Sequence, residues 1–321
     1  MSETKAPSSR SKRGVLQTVG AVAASFALLF GAVGCSEDEA TPSGTTTTTA
    51  ANEKGSEANP VKLGVVGAED EYWETYVDAA KAEGIYVELV NFSEYPLPNP
   101  ALSAGDLDLN QFQHIIYLAT YIAETGKELS PIGATAIYPL GLYSLKYKSV
   151  DEIPDGSEIA IPDDPSNQAR ALLVLQSAGL LKITGGGSIF STVADIDTDN
   201  SRVTVIQLAG ANTPSALQDV AAAIINNDFV EDAGLNFADA IAKDDPSDPN
   251  ALPYVNIFAS RPEDKTNPTY LKLVSIFQNT TSVTEGLQEN SGGTAVLLKT
   301  PVADLEASLA KVVADNKAQN S

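Results

Sequence analysis

Residues 158–170 read EIAIPDDPSNQAR: a β-branched run, a proline turn, then polar residues that suit the start of a helix. Ser166 is a candidate N-cap, with Asn167 and Arg170 on the first helical turn. The order places helix-start amides and a guanidinium beside the carboxyl end of a strand. Such a place in an α/β fold suits a small anion, a carboxylate above all. A surface arginine beside a cap reads equally well from these residues alone.

The same alternation continues on both sides. Upstream, a strand at Val61–Val66 ends at Gly67, a helix at 72–83 stops at Gly84, and a second strand fills 86–92. Residues 110–125 read as a helix, followed by apolar runs at 134–138 and 142–145. After the turn Pro154-Asp155-Gly156, the expected elements are a strand at 158–161, a helix at 166–178 closed by Gly179, a strand at 203–208, a helix at 214–220 and a strand at Ala222–Ile225. A strand at 253–259 and helices at 268–278, 281–288 and 302–315 complete the chain. Residues 244–253, rich in Asp, Pro and Asn, suit an exposed loop. Two successive α/β patterns point to two parallel-sheet domains. No period of 20–50 residues recurs, which excludes solenoids and propellers.

The amino terminus has a different character. Lys5, Arg10, Lys12 and Arg13 precede an uncharged apolar run from Val15 to Phe30, then Gly31-Ala32-Val33-Gly34-Cys35. That order is an export signal over 1–34 ending in a lipobox, with Cys35, the sole cysteine, as the lipidation site. A plain membrane anchor would also use the charge-free stretch, but gives no reason for a cysteine behind small residues. Residues 35–60, mostly Ser, Thr, Glu and Gly, read as a flexible tether. The net charge of −22 argues against nucleic acid, whose phosphates require Lys and Arg clusters. Solubility accounts for it.

One histidine and one cysteine are too few for the usual zinc or iron–sulfur sets. No G-x-S-x-G elbow is present, so a hydrolase would have to recruit His114 without the usual nucleophile setting. Gly185-Gly186-Gly187 lacks the Lys-Ser/Thr of a phosphate loop. Asp163-Asp164 and Asp244-Asp245 lack calcium-loop spacing and read as solvated loop charge. On a helix, Asn110, His114 and Tyr117 would share one polar-aromatic face. Taken alone, a satisfied histidine on an otherwise buried helix explains that face slightly better than a ligand site does.

Four stretches together carry a family resemblance: 90–99 (VNFSEYPLPN), 108–118 (DLNQFQHIIYL), 138–144 (YPLGLYS) and 161–170 (IPDDPSNQAR). They resemble the methionine-binding lipoproteins of ABC importers, and the likeness runs from about Val61 to about Val296. It implies an α/β, two-lobed periplasmic-binding-protein-like fold of type II, with a ligand cleft between lobes joined by two crossing strands. Lobe I would hold 61–140 plus 254–321, and lobe II 141–253. Tyr95, Phe112, His114 and Tyr117 would wall a side-chain slot suited to a thioether. Arg170 would pair the ligand carboxylate. Asn167, Asn226 and Asn256 would complete the bonds to the head group. The implied work is capture of methionine, with the D form left open beside the L form. Delivery would be to an importer's permease and its ATPase, at the extracytoplasmic face of the cell membrane, by a lipid-anchored protein that is not an enzyme and needs no cofactor.

Three places depart from the family's usual pattern. Gly67-Ala68-Glu69-Asp70-Glu71-Tyr72-Trp73 replaces a loop with Pro and His, Ile115-Ile116 stand where Lys-Pro is common, and Asn226 is followed by Asn227-Asp228-Phe229. These changes fall on the cleft rim, so they bear on the ligand's side chain more than on its head group. A receptor for another small amino acid or dipeptide is the alternative within the class, and a lipid-anchored hydrolase using His114 the alternative outside it. The last helix extends beyond the usual family end.

Overall fold

The computed structural model describes residues 53–231, 233–248 and 250–319. The signal segment, Cys35 and the tether as far as residue 52 lie outside the described residues. The chain runs β1 (Val61–Val66), α1 (Glu71–Ala82), β2 (Val87–Phe92), α2 (Pro98–Ala104), β3 (Leu109–His114) and α3 (Ile115–Thr125). It continues through β4 (Ser130–Ala134), β5 (Ala136–Ile137), β6 (Gly141–Tyr143), β7 (Glu158–Pro162) and α4 (Pro165–Ser177). Next come β8 (Thr204–Leu208), α5 (Thr213–Ala216), β9 (Ala222–Ile225), β10 (Ala242–Lys243) and β11 (Asn256–Ser260). The last elements are α6 (Pro268–Asn279), α7 (Thr281–Asn290), β12 (Val296–Leu297) and α8 (Val302–Gln319).

Two five-stranded sheets result, ordered β2-β1-β3-β11-β4 and β10-β6-β9-β7-β8. Each has a parallel trio, β2-β1-β3 in the first and β8-β7-β9 in the second, and antiparallel strands on one side of it. The parallel trios are what β-α-β connections produce. β11 enters the first sheet only after the chain has built the second, so two stretches, between β4 and β6 and between β10 and β11, cross from sheet to sheet. The small β5–β12 pair ties the first crossing to the chain's late segment.

Apolar clusters cover both faces of each sheet. Trp73, Tyr76, Phe258 and Phe277 anchor one cluster on the first sheet, with Phe258 and Phe277 in an edge-on pair at 5.3 Å. Each fully buried phenylalanine contributes about 1.5–3 kcal/mol relative to exposure. A fourth cluster mixes Val66, Tyr95 and Phe112 from the first sheet's side with Ala160, Ala223, Ile225 and Phe229 from the second's. The sheets therefore meet through side chains as well as through the chain crossings.

Several expectations need correction. Residues 110–125 are not one helix: β3 runs to His114, and α3 begins at Ile115. The strand lies between β1 and β11, and every one of its residues is buried. Its polar side chains pair internally, with Asn110 Nδ2 donating to Asn99 Oδ1 at 2.9 Å and Gln113 Nε2 to the same oxygen at 2.7 Å. That buried amide network made a central strand look like a polar helix face. The helix cap at α4 is Asp164, not Ser166: its Oδ1 accepts from Asn167 N at 2.9 Å and from Ser166 Oγ at 2.7 Å. Asp164 is thus a half-buried cap acceptor and not solvated loop charge. α5 is one turn long where residues 214–220 were expected to be helical. Residues 53–60, read as the end of the tether, are folded: Tyr86 N donates to Gly55 O at 2.8 Å, and Lys54 Nζ pairs with Asp108 Oδ2 at 3.0 Å.

Candidate ligand-binding site

Between the sheets lies a small cavity lined by Tyr95, Phe112, Gln113, His114, Tyr117, Tyr138, Asn167, Arg170, Asn226, Asn227, Asp228 and Asn256. All eight ligand-site residues expected from the sequence are brought together here. They come from the ends of β3, β9 and β11, the first turn of α3, the first two turns of α4, where Arg170 falls on the second turn and not the first, and the segment before α2. The cavity is narrow, about 20 Å³, room for a water or two. An amino acid fits only when its walls part.

Arg170 is 5% exposed and fixed on three sides. Its Nε donates to Asp244 Oδ2 at 2.6 Å, its Nη2 donates to Tyr138 O at 2.7 Å, and its guanidinium lies 4.3 Å from the Tyr254 ring centre. The Nη1 donors have no partner among the described residues. Asp244, expected to be solvated loop charge, is instead the counter-ion that orients this arginine. Its other oxygen accepts from Leu140 N at 2.8 Å, so it also pins the first crossing stretch. The guanidinium is a half-used fork, locked in plane with one edge to spare.

A chain of amides surrounds it. Asn167 Nδ2 donates to both oxygens of Asp164, at 3.2 and 3.1 Å, which leaves Asn167 Oδ1 to accept from Asn226 Nδ2 at 3.0 Å. His114 Nε2 stands 3.3 Å from that same oxygen. On the other side of the ring, His114 Nδ1 accepts from Tyr117 N at 3.1 Å and caps α3. The two contacts fix the tautomer with its proton on Nε2. Burial, then the charge of Arg170, lower the His114 pKa to about 3. The imidazole is neutral and structurally committed. A general base would have to give up the helix cap to accept a proton.

Asn226 Oδ1 is buried without a hydrogen-bond partner. A buried lone acceptor in a polar pocket is costly to leave unmet. Together with Arg170 Nη1, it gives the cavity an unmet acceptor and an unmet cationic donor, the two needs that an amino-acid head group satisfies.

The opposite wall is aromatic. Tyr95 lies 5.1 Å from Phe229 and 6.0 Å from Phe112, and Phe112 lies 5.6 Å edge-on to Tyr117. Such rings offer a polarizable lining for an apolar or sulfur-bearing chain. Tyr95 OH donates to Asp228 Oδ2 at 2.7 Å, and burial followed by that carboxylate's charge raises the Tyr95 hydroxyl pKa well above its ordinary value. Asn256 joins the floor at the start of β11, opposite His114 in register. Tyr138, Gln113, Asn227 and Asp228 line the cavity without having been singled out. Tyr138 looked like one residue of an apolar run, Gln113 like spacing within a helix, and Asn227-Asp228 only like a change at the rim.

The family of the chain follows from comparison. Residues 61–297 match the family described as NlpA lipoprotein. The chain belongs to the NlpA lipoprotein family. Over 266 residues this NlpA lipoprotein is 38% identical to the D-methionine-binding lipoprotein MetQ of Escherichia coli K12, covering 81% of this chain and 89% of the relative. Among solved structures it is similar to a periplasmic substrate-binding protein of an ABC transporter from Coxiella burnetii, at TM-score 0.69 and 34% identity, covering 74% of this chain and 100% of the other. It is also similar to a nutrient-binding protein from Burkholderia cenocepacia bound to methionine, at TM-score 0.68 and 36% identity, covering 74% and 99%. The fold of this NlpA lipoprotein is the α/β fold of such substrate-binding proteins, with open mixed sheets. α8 lies beyond the matched segment.

Proposed function

We propose that this protein captures methionine outside the cytoplasm and hands it to the permease of an ABC importer driven by its ATPase. One observation carries the reading: an arginine edge, an unmet amide acceptor and an aromatic slot converge on one cavity between two sheets. Arg170 Nη1 would bind the carboxylate and Asn226 Oδ1 the ammonium, with Asn167 and Asn256 beside them. Tyr95, Phe112, Tyr117 and the neutral His114 would hold the thioether. The methionine named in the relatives supports the same ligand.

In this reading, 61–140 with 254–321 form one lobe and 141–253 the other, and ligand binding closes them about the two crossing stretches. The leader at 1–34 is removed, and lipid on Cys35 holds the protein at the extracytoplasmic face of the cell membrane. A single acyl chain binds membranes marginally, so multiple chains are expected there. The site binds and does not catalyse. Asp228 in the wall supports a second ligand class, a small amino acid or dipeptide with a donor group beyond the head.

A thermal-shift panel on protein stripped of ligand by unfolding and refolding tests the reading. The panel comprises the twenty amino acids, D-methionine and dipeptides. Methionine at about a thousand times its dissociation constant should add roughly 4 kcal/mol of stability. Arg170→Lys keeps charge but loses the planar fork, and affinity is expected to fall by about 10- to 100-fold, a cost of roughly 1.4–2.7 kcal/mol. Silence across the panel, or an unchanged affinity in Arg170→Lys, rejects the assignment.

A further inference from the structure

Carboxylates from both sides of the cleft line one cavity beside the candidate site. Asp70 lies in the loop after β1, on the first sheet's side, and Asp228 follows β9 on the second's. Next to them is a cavity of about 530 Å³ whose lining includes Glu69, Asp70, Glu71, Glu285 and Glu289 from one side and Glu231 from the other, with no lysine or arginine. Burial, then the charge of Asp228, push the Asp70 carboxyl up to about 7, with Glu69 and Glu231 adding to the rise. Asn290 Nδ2, donating to Asp70 Oδ2 at 3.1 Å, works against it. Tyr72 and Tyr138 are buried within the field of both carboxylates.

One contact pulls the other way. Tyr95 OH donates to Asp228 Oδ2 at 2.7 Å, spanning from the segment before α2 to the segment after β9. Asn227 Nδ2 steadies the same carboxylate from the second sheet's side at 2.6 Å. Closing the cleft therefore makes a good hydrogen bond and brings like charges together.

We propose that Tyr95–Asp228 is the latch of the closed cleft and that Asp70 makes it proton-dependent: the sides close more readily when Asp70 is protonated, so ligand is held more tightly in acidic surroundings. This rests on the closure described above. The sign follows from linkage. In the closed cleft Asp70 keeps its proton up to about pH 7, whereas a carboxyl turned to water releases it near 4. Between those values closing takes up a proton, and affinity weakens by as much as about tenfold per pH unit as pH rises. Above about pH 7 both forms are ionised and the slope vanishes. Were His114 exposed on opening, it would act with the opposite sign, since burying it neutral on closure would release a proton. A dissociation constant that rises with pH is not its signature.

Methionine titrated calorimetrically into the lipidated protein in detergent, at pH 5.5, 6.5 and 7.5, tests the latch. Wild type should weaken by at least about fivefold across that range, and Asp70→Asn by less than about twofold. The Asp70 side chain makes no cap hydrogen bond to the helix, and asparagine keeps an acceptor for Asn290. If Asp70→Asn does not fold, Glu231→Gln takes its place, with a reduced slope expected. A flat wild type, or a slope retained in the variant, overturns the proposal. Spin labels at Glu88→Cys and Thr204→Cys, one exposed position on each sheet, give a readout that needs no ligand. Their separation should be shorter at pH 5.5 than at 7.5 in wild type, and independent of pH in Asp70→Asn. If methionine binds at no pH, the methionine reading fails, while the label separations alone decide the latch.

Discussion

His114 shows how much one side chain can be asked to do. It ends β3, caps α3 through Nδ1, and reaches Asn167 through Nε2. Its pKa, lowered to about 3, sits below the unfolded value near 6.5, so the unfolded chain binds the proton first. Stability contributed by the neutral ring is complete above about pH 6.5 and is lost, by about 1.4 kcal/mol per pH unit at most, as pH falls toward 3. Asp70 has the reverse sign: its raised pKa adds stability as pH falls from about 7. The two oppose each other between about pH 4 and 6.5, so total stability hides both. Unfolding free energies of wild type and His114→Gln measured side by side should separate them. Their difference is expected to shift steadily in favour of the variant between pH 6.5 and 4, and a constant difference would contradict the histidine assignment. From sequence, the ring's neutrality was out of reach, because the tautomer depends on Tyr117 N and Asn167 Oδ1 meeting it from two elements.

At the scale of elements, the chain is legible where pattern and environment agree. α1 has acids in its first turn, a lysine in its last, and buried Tyr72, Trp73, Tyr76 and Ala80 along one stripe; its helical pattern reads directly. β3 reads wrongly because burial there is met by amides and not by apolar side chains. α8 is a different case, a helix with a clear stripe whose partner no local pattern names. It packs against α3 and β4 and buries Leu305, Leu309 and Val312 in the core cluster they share. It lies beyond residue 297, where the family match ends, yet it is integrated into the core. Leu309→Ala should cost about 2–4 kcal/mol in denaturant unfolding. A loss below about 0.5 kcal/mol, the size of a surface change, would show that α8 is peripheral.

For the whole molecule, the α/β alternation and the order of most strands were readable, whereas the distribution of strands between sheets was not. β11 returns to the first sheet after about 120 residues spent elsewhere, and register across that distance has no local signal. The candidate site inherits this: its residues lie in five separate stretches, and only the resemblance gathered them before the fold did. Asp244 shows the limit most clearly, a loop acid by composition and the partner of Arg170 by topology. The topology also sets a mechanical expectation. Two sheets linked by two crossings, with a 20 Å³ cavity between them, admit an amino acid only when the cavity walls move, and the two crossings make a hinge the expected route. A compact body of the size of residues 53–319 has a radius of gyration of roughly 18 Å. Small-angle scattering of the stripped protein is expected to give a larger value that contracts toward this figure when methionine is added. Equal radii with and without a methionine that demonstrably binds would mean that the rings of Tyr95, Phe112 and Tyr117 swing aside to admit it while the sheets stay put, and the site would then be a pocket with moving walls and not a hinged cleft.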